Sequence, residues 1–344
     1  MRRLLLLWVF CMFVQACSTE IEVYAPQVES YYIMSVLDPT RDTQYVRLSR
    51  VFQSPGDAVA YADTANLTVK GWDVWLEGAG KIWKAEEIEM PKEAGDFNAF
   101  GHSVYAFETK WADKLVPGEA YHLFLQKPDD SGYVISARTI VPTAPRITAP
   151  SEPSYHAPTN TYSLPTWEFT QDQQVEFLKG SGFGCEARVI LHYSDAAGTV
   201  RQAFWGPTSI RQTPFRCSAS VDFGEMCVWI PENSVPNYFR TFFAGVPGAR
   251  LLDSVKLAHS VQELSKVARV EVTTADSVLT RFLIGNDAGN YGLNLLMDKP
   301  EYSNFPAPHY GIFGAINRDS QWIFYGECAK YLSGLIPFPP PGCN

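Results

Sequence analysis

Cysteine is the residue type whose number and spacing could support the most chemistry in this sequence. The chain has seven cysteines, and five of them lie in its second half. Two neighbouring pairs are candidates for disulfide bonds, Cys217 with Cys227 and Cys328 with Cys343. Sequence alone leaves the connectivity of these five cysteines open. They can form at most two disulfide bonds, which leaves one cysteine unpaired. A zinc site is the alternative, but CxxC and HxxxH spacings are absent, so we predict no metal and no cofactor.

Cys17 directly follows an apolar N-terminal segment and is a candidate for lipid attachment. Two arginines precede an apolar stretch from Leu4 to Val14, which suits a signal peptide and is too short to span a bilayer. Ala16-Cys17 then resembles the lipobox of bacterial lipoproteins, in which cleavage precedes a cysteine that receives a diacylglyceryl group. We therefore predict a signal peptide over residues 1–16 and a lipid on Cys17. An ordinary signal peptide with an incidental cysteine is the alternative.

Composition restricts the partners that the protein can have. The formal net charge is −9 and no run of lysine or arginine stands out, so we expect no nucleic acid partner. The later apolar runs are short and interrupted, so membrane contact is expected through the lipid anchor. Export would place the cysteines where disulfides persist.

Segments that might support catalysis have simpler explanations. Gly180 to Gly184 lacks the GxSxG spacing of a nucleophilic serine and the lysine of a P-loop. Gly285 to Asn290 offers oxygen atoms to calcium but lacks the EF-hand order of acids. The six histidines are far apart in sequence, and paired acids such as Glu86 and Glu87 stand in polar stretches. We therefore predict that the protein is not an enzyme; a surface hydrolase with two acids across a cleft is the alternative.

Tryptophan rings are candidate ligand contacts. Trp72 and Trp75 are three residues apart in one predicted strand, so they fall on opposite faces of it. We expect one of them in the core and the other free to stack on a sugar or on a partner protein. Core packing is the alternative for most of the nine tryptophans.

The elements that position these residues are predicted to be mainly β strands. From Tyr31 to Val141, apolar and polar residues alternate in short runs separated by turn residues. Roughly seven or eight such strands in about 115 residues indicate an immunoglobulin-like Greek-key sandwich over residues 31–142. Residues 17–30 form an acidic tether ahead of it.

A second β-rich domain, with at most short helices, is predicted over residues 154–344. It follows a proline-rich stretch at 143–153, which is typical of an extended linker. A short helix is expected from Ala275 to Leu283 with Thr274 as its N-cap. The strands expected here include Ala187 to Tyr193, Val200 to Trp205, Tyr238 to Phe243, Val267 to Thr273, and a closing hairpin of Tyr310 to Ile316 with Gln321 to Tyr325.

Several stretches, taken in order, carry a family resemblance. They are Ala16-Cys17, the strand Tyr45 to Arg50, the turn Pro117-Gly118 before Tyr121, the exit Thr139 to Pro142, and Ser303-Asn304 followed by Tyr310 to Ala315. Together they resemble a lipoprotein family of the Bacteroidota, domain of unknown function 4249. Members of that family are typically encoded beside TonB-dependent outer-membrane receptors.

The resemblance implies an accessory or substrate-binding lipoprotein of a TonB-dependent nutrient-uptake receptor. It implies a lipid-anchored position on the outer membrane, at the cell surface, with the periplasmic face as the alternative. The expected partners are such a receptor and a small ligand of unknown identity. The resemblance assigns no catalytic residue. A structural or adhesive surface protein is a further alternative.

Overall fold

A computed structural model describes residues 29–51, 67–90, 102–128, 130, 132–151, 154–156, 161–163, 165–206, 225–251, 255–256, 263–264, 267–285, 303–334, 338 and 343. The predicted signal peptide, the lipidation site Cys17, the tether up to residue 28 and Cys217 lie outside these residues. The described part of the chain is mainly β, as predicted, and contains three short helices.

The strands of the first half form a sandwich of two antiparallel sheets. They are β1 Tyr31–Leu37, β2 Thr43–Arg50, β3 Asp73–Gly78, β4 Lys81–Lys84, β5 Glu86–Met90, β6 His102–Glu108, β7 Ala120–Gln126 and β8 Val134–Ile140. One sheet has the order β1-β2-β6-β5 and the other the order β4-β3-β7-β8. This is the Greek-key order of immunoglobulin domains, and the predicted sandwich is confirmed.

Alternation along the strands builds the core of this sandwich. In β1 the side chains of Ile33 and Leu37 are buried, and in β7 those of Tyr121, Leu123 and Leu125 are buried. Successive side chains of a strand point to opposite faces, so each sheet has one apolar face. The two apolar faces meet in a single hydrophobic cluster.

Two buried tyrosines connect the sandwich strands to their neighbouring loops. The hydroxyl of Tyr121 accepts a hydrogen bond of 2.6 Å from the backbone N–H of Val116, five residues upstream. This is the tyrosine corner of immunoglobulin-like sandwiches. The hydroxyl of Tyr105 accepts from the Trp72 N–H at 3.1 Å and donates to the Val69 carbonyl at 3.2 Å. Both phenols thus satisfy backbone groups that lie between the sheets.

The second half is a larger sheet covered by a smaller sheet and helices. Its strands are β9 Arg146–Ala149, β10 Ser154–His156, β11 Thr161–Ser163, β12 Thr166–Trp167, β13 Gln173–Leu178, β14 Gly184–Ser194, β15 Val200–Trp205, β16 Glu225–Ile230, β17 Arg250–Leu251, β18 Val255–Lys256, β19 Glu263–Leu264, β20 Val267–Ala275 and β21 Tyr310–Tyr325. Its helices are α1 Ser234–Ala244, α2 Ser277–Gly285 and α3 Glu327–Leu332; a 3-10 turn, Trp111–Asp113, belongs to the first half. The sheet β15-β14-β20-β21 shares a core with β16-β13-β9, α1 and α3.

One long strand, β21, joins the two halves. Residues 310–315 of β21 pair in parallel with β1, and residues 316–324 pair antiparallel with β20. The prediction of a closing hairpin here was wrong. Its turn-like residues stay extended because Asn317 donates to the Pro142 carbonyl at 2.9 Å and Asp319 accepts from the Ile147 N–H at 2.8 Å. These side chains bind the proline-rich segment, of which Arg146–Ala149 forms β9.

The segment from Tyr238 to Phe243, predicted as a strand, is part of α1. The buried Val235 and Phe239 are four residues apart, which is helix periodicity. Pro236 lies in the first turn, where a helix tolerates it. Short aromatic runs do not distinguish strand from helix by composition, and this explains the error.

The helix α2 begins later than predicted. Thr274 belongs to β20 and is buried there. Asp276, directly before the first helical residue, accepts a hydrogen bond of 2.8 Å from the Leu279 N–H. This is the bond that an N-cap side chain makes, so Asp276 caps the helix in place of Thr274.

Candidate functional site

The sheet of the second half has one face in the core and one face that carries polar residues. On β14, Ala187 and Val189 belong to the core, so Arg188 between them points to the opposite face. On β20, Val270 and Val272 belong to the core, and Glu271 points the other way. The exposed face of this sheet is therefore built from charged side chains on regular strands.

A cleft of about 520 Å³ lies between this face and the turn that follows β1. Residues from both halves of the chain line it. Those that matter most for its chemistry are Arg41, Arg188, Gln202, Phe204, Arg269 and Arg318.

The strand register places three arginines around Glu271. Arg188 of β14 is the cross-strand partner of Glu271, and such partners have Cβ atoms about 4.5–5.5 Å apart. Arg269 precedes Glu271 by two residues and shares its face of the sheet. Arg318 of β21 pairs with Thr273, the next residue of β20 on the same face. The sheet therefore holds all three guanidinium groups in one patch.

Buried carboxylates hold these guanidinium groups in place. Arg269 Nη2 and Arg318 Nη1 each lie 3.4 Å from one oxygen of Glu271. Arg318 Nε also lies 3.2 Å from Asp38 Oδ2, and Arg188 contacts Glu186. The carboxylate side chains are 3–7% exposed, whereas those of Arg188, Arg269 and Arg318 are 24–37% exposed. The three acids thus lie beneath the bases, and the guanidinium groups are the more exposed members of these pairs. A further carboxylate, Asp319, also lines the cleft.

Burial shifts two titratable groups on this face. Burial raises the pKa of the Glu186 carboxyl, and the charge of Arg188 acts in the opposite direction. Burial lowers the pKa of His192, and the nearby charge of Arg269 lowers it further. A neutral His192 fits its contact with Gln202, whose amide nitrogen lies 2.9 Å from His192 Nε2. Because an amide nitrogen only donates, His192 Nε2 is the acceptor.

Aromatic rings flank the arginines. The Arg269 guanidinium lies 5.9 Å from the centroid of the Trp322 ring, within the range of a cation–π contact. The His192 ring lies 5.5 Å from the same tryptophan. Phe204, on β15, is 45% exposed at the rim of the cleft. A ligand in the cleft would meet the Phe204 ring beside the guanidinium groups.

The predicted tryptophan contacts lie elsewhere. Trp72 is buried in the sandwich core and packs edge-on against Tyr31 with ring centroids 4.8 Å apart. Trp75 is half-buried on the outer face of the sandwich, where it stacks on Phe124 at 5.1 Å. Its indole N–H donates to Glu77. Neither tryptophan lines the arginine cleft.

The cysteine predictions have one structural outcome. Cys328 and Cys343, one of the two candidate pairs, form a disulfide bond, with Cα atoms 5.3 Å apart. Cys227 lies in β16, but its side chain and the whole of Cys217 are outside the described residues. Cys185 is buried and free, and burial raises its pKa to about 12.

The described residues offer no candidate for two other kinds of site. Within the described residues, no group of three or more His, Cys, Asp or Glu side chains could hold a metal ion. None of the described helices is long and apolar enough to cross a membrane.

Sequence reasoning missed the arginine cleft altogether. Its one local signal is the presence of charged residues at alternate positions of apolar strands, as in Arg269 and Glu271 of β20. That signal indicates an exposed face. It does not reveal that Arg41, Arg188 and Arg318 converge on the same place.

No protein-family model matches the chain, and no curated protein sequence matches it either. The fold and the cleft therefore define its class. It is a mainly β protein in which an immunoglobulin-like sandwich shares a sheet with a second, helix-covered unit, and the junction carries an arginine-lined cleft.

Proposed function

We propose that the protein is a lipid-anchored binding protein of the bacterial cell envelope that captures a small ligand and works with a TonB-dependent outer-membrane receptor. The observation that carries this proposal is the arginine cleft. It has the size of small-molecule sites, about 300–1,000 Å³, and its polar groups converge from rigid strands. Sites that are built on regular elements hold a ligand with more precision than sites on loops.

The place of the protein in the cell rests on the N-terminal sequence. Ala16-Cys17 follows a signal-like segment, and multiple acyl chains on Cys17 would anchor the chain firmly. The outer membrane, the cell surface and the receptor partner rest on the resemblance to domain of unknown function 4249. The periplasmic side of the same membrane would suit the cleft equally well.

The carboxylates of the cleft support binding more than acid–base catalysis. A general acid or base must be free to exchange a proton with the substrate. Asp38, Glu186 and Glu271 are buried under arginines and paired with them. Asp319 accepts from the backbone N–H groups of Ile147 and Ser320, each at 2.8 Å. The geometry of the three paired acids suits the support of guanidinium groups better than proton transfer.

Anchoring is tested by membrane fractionation of the full-length chain with Cys17→Ser. We expect the variant to lose its acyl mass and to leave the membrane fraction. Cys11→Ser, within the apolar segment, is the matched control and should stay lipidated. A Cys17→Ser chain that still carries lipid would overturn the anchoring site.

The partner is tested by purification of a tagged, otherwise native chain from detergent-solubilised membranes. We expect a TonB-dependent receptor to co-purify in stoichiometric amount. Recovery of the lipidated chain without any receptor would overturn the receptor part of the proposal.

A further inference from the structure

We infer that the ligand of the arginine cleft is an acidic saccharide, held through a carboxylate or sulfate group by Arg188, Arg269 and Arg318. This inference rests on the proposed binding function and adds the chemical class of the ligand. Three observations support it: the arrangement of charge, the donors that remain on the guanidinium groups, and the neighbouring aromatic and amide groups.

The arrangement of charge selects an anion. The acids beneath the cleft are almost fully buried, while each arginine side chain is about a quarter to a third exposed. An incoming ligand therefore meets these guanidinium groups before their acids. The remaining carboxylate of the lining, Asp319, accepts from the backbone N–H groups of Ile147 and Ser320, each at 2.8 Å. Arg41, 62% exposed and 3.4 Å from Asp38 through its Nε, adds a fourth cation at the mouth. Electrostatic complementarity of this kind raises the association rate and rejects cationic ligands.

The guanidinium groups keep donors for a ligand. Each has five N–H donors in a planar fork. Arg269 donates through Nη2 and Arg318 through Nη1 to Glu271, at 3.4 Å in both cases. The Nε atoms of both arginines are buried, and that of Arg318 faces Asp38 at 3.2 Å, so the donors left for a ligand are the remaining Nη N–H groups. Planar forks with spare donors suit carboxylate and sulfate oxygens, which they can bind in a bidentate manner.

The neighbouring groups suit a sugar ring. Phe204 offers an exposed apolar ring beside the arginines, and sugar rings have apolar faces that stack on such rings. The Gln202 amide, which lines the cleft on β15, can bond a hydroxyl group. An oxyanion site, an aromatic ring and an amide together suit an acidic saccharide.

Two smaller cavities lie elsewhere in the described residues. One, of about 480 Å³, is lined by Tyr133, Pro306, Pro308 and His309, and its carboxylate, Glu29, is paired with Lys127 at 2.7 Å. The other, of about 300 Å³, adjoins the cleft, since it shares Arg41 and Arg318 with it and adds Arg47. The first has no arginine in its lining, and the second also has three but is smaller than the cleft.

The test is calorimetric titration of the full folded chain with trigalacturonate, a sulfated galactose trisaccharide and neutral maltotriose. We expect one or both acidic probes to bind, with an affinity that weakens in about 0.5 M sodium chloride, and maltotriose to bind at least about tenfold more weakly. The two acidic probes distinguish a carboxylate ligand from a sulfate ligand. Failure of both acidic probes to bind at about 1 mM, or equal binding of maltotriose, would overturn the inference.

Two variants test the arginines. Arg269→Gln removes one guanidinium while Glu271 keeps its contact with Arg318, and the pair Glu186→Gln with Arg188→Gln removes another without leaving an unpaired charge. We expect each variant to bind the acidic probe at least about tenfold more weakly than the native chain does. Arg201→Gln, at an exposed pair with Asp195 outside the cleft, is the matched control and should not change binding. Full binding by both cleft variants, with unchanged melting temperatures, would overturn the inference.

The two proposals fail in different ways. If the receptor co-purifies but no acidic probe binds, the ligand class is wrong and the receptor partnership stands. If an acidic probe binds but no receptor co-purifies, the inference on the ligand stands and the receptor partnership is wrong.

Discussion

The Nε atom of Arg318 lies 3.2 Å from the Oδ2 atom of Asp38, and this contact joins the two halves of the chain at the cleft. Asp38 directly follows β1, and Arg318 lies in the middle of β21. The same guanidinium group lies 3.4 Å from Glu271 on β20. One side chain therefore connects the turn of the sandwich to the charged face of the second sheet.

We expect Asp38→Asn to lower the free energy of unfolding by about 1.5–3 kcal/mol, the range for hydrogen bonds to charged groups. The substitution removes the carboxylate that pairs with Arg41 and Arg318. The cost stays below the 3–5 kcal/mol of a broken buried pair because Arg318 keeps Glu271 as a partner. Urea denaturation measures the difference.

The matched control is Asp42→Asn in the same turn. Asp42 lies 3.7 Å from Lys114, and both side chains are more than half exposed. Exposed pairs of this kind contribute less than about 1 kcal/mol. Equal losses for Asp38→Asn and Asp42→Asn would contradict the structural role of the buried contact.

Ionisation of the Asp276 carboxyl should lower the free energy of unfolding as the pH rises. Burial raises its pKa above the ordinary value of 3.8, and hydrogen bonds from Thr139 and Leu279 only partly oppose this. The folded protein then holds the Asp276 proton to a higher pH than the unfolded chain does. Its contribution to stability is complete below 3.8 and is lost as the pH rises through the folded pKa.

Asp276→Asn removes this titration and keeps an oxygen for the Leu279 N–H. We therefore expect the variant to gain stability relative to the native chain as the pH rises from about 4 to 7. The measurement is urea denaturation of both chains across that range. A difference that stays constant or shrinks with rising pH would contradict the assignment.

Gly311→Ala should weaken the junction between β1 and β21. Gly311 has a φ of +122°, and an added Cβ would lie 1.8 Å from the Ile33 carbonyl oxygen. Both the backbone strain and the clash act on the parallel pairing of the two strands. We expect a loss of at least about 1–3 kcal/mol, the range for a single strained residue, measured by thermal denaturation.

Gly198→Ala separates strain from clash. Gly198 also has a positive φ, of +80°, but nothing lies within 4 Å of its added Cβ. Its substitution should cost less than that of Gly311. A larger loss for Gly198→Ala would show that the contact with Ile33 matters little.

Removal of the Cys328–Cys343 disulfide should destabilise the end of the chain. The bond closes a loop with a sequence separation of 15 residues, for which the chain-entropy estimate is about 3 kcal/mol. We expect the double variant Cys328→Ser, Cys343→Ser to lower the denaturation midpoint accordingly. Reductant should lower the midpoint of the native chain more than that of the variant, and an equal effect on both would contradict the prediction.

Local patterning was enough to predict the sandwich. In β7 the order Tyr121, Leu123, Leu125 places every second residue in the core, and the Pro117-Gly118 turn precedes it. A buried face imposes a period of two on any strand, so a short window of sequence carries the information. The same reasoning placed β1 at its observed bounds. Cys328 and Cys343 were one of two candidate pairs, and the sequence left their connectivity open.

Long-range pairing decided the rest. The polar run from Asn317 to Ser320 looks like a turn in isolation, but its side chains bind Pro142 and Ile147, and β21 continues through it. α1 was mistaken for a strand because its periodicity covers only a few turns and its partner Tyr193 is distant in sequence.

The sequence by itself therefore determined which residues face the core, since that property repeats locally along each strand. The cleft was decided only by the tertiary structure. Asp38, Arg188, Glu271 and Arg318 come from four separate segments, and the pairing of β14, β20, β21 and β1 brings them together. The alternation of apolar and polar residues along a strand predicts that a charged side chain points outward. Which other charges it meets depends on strand order and register, and these arise from contacts between residues far apart in the chain.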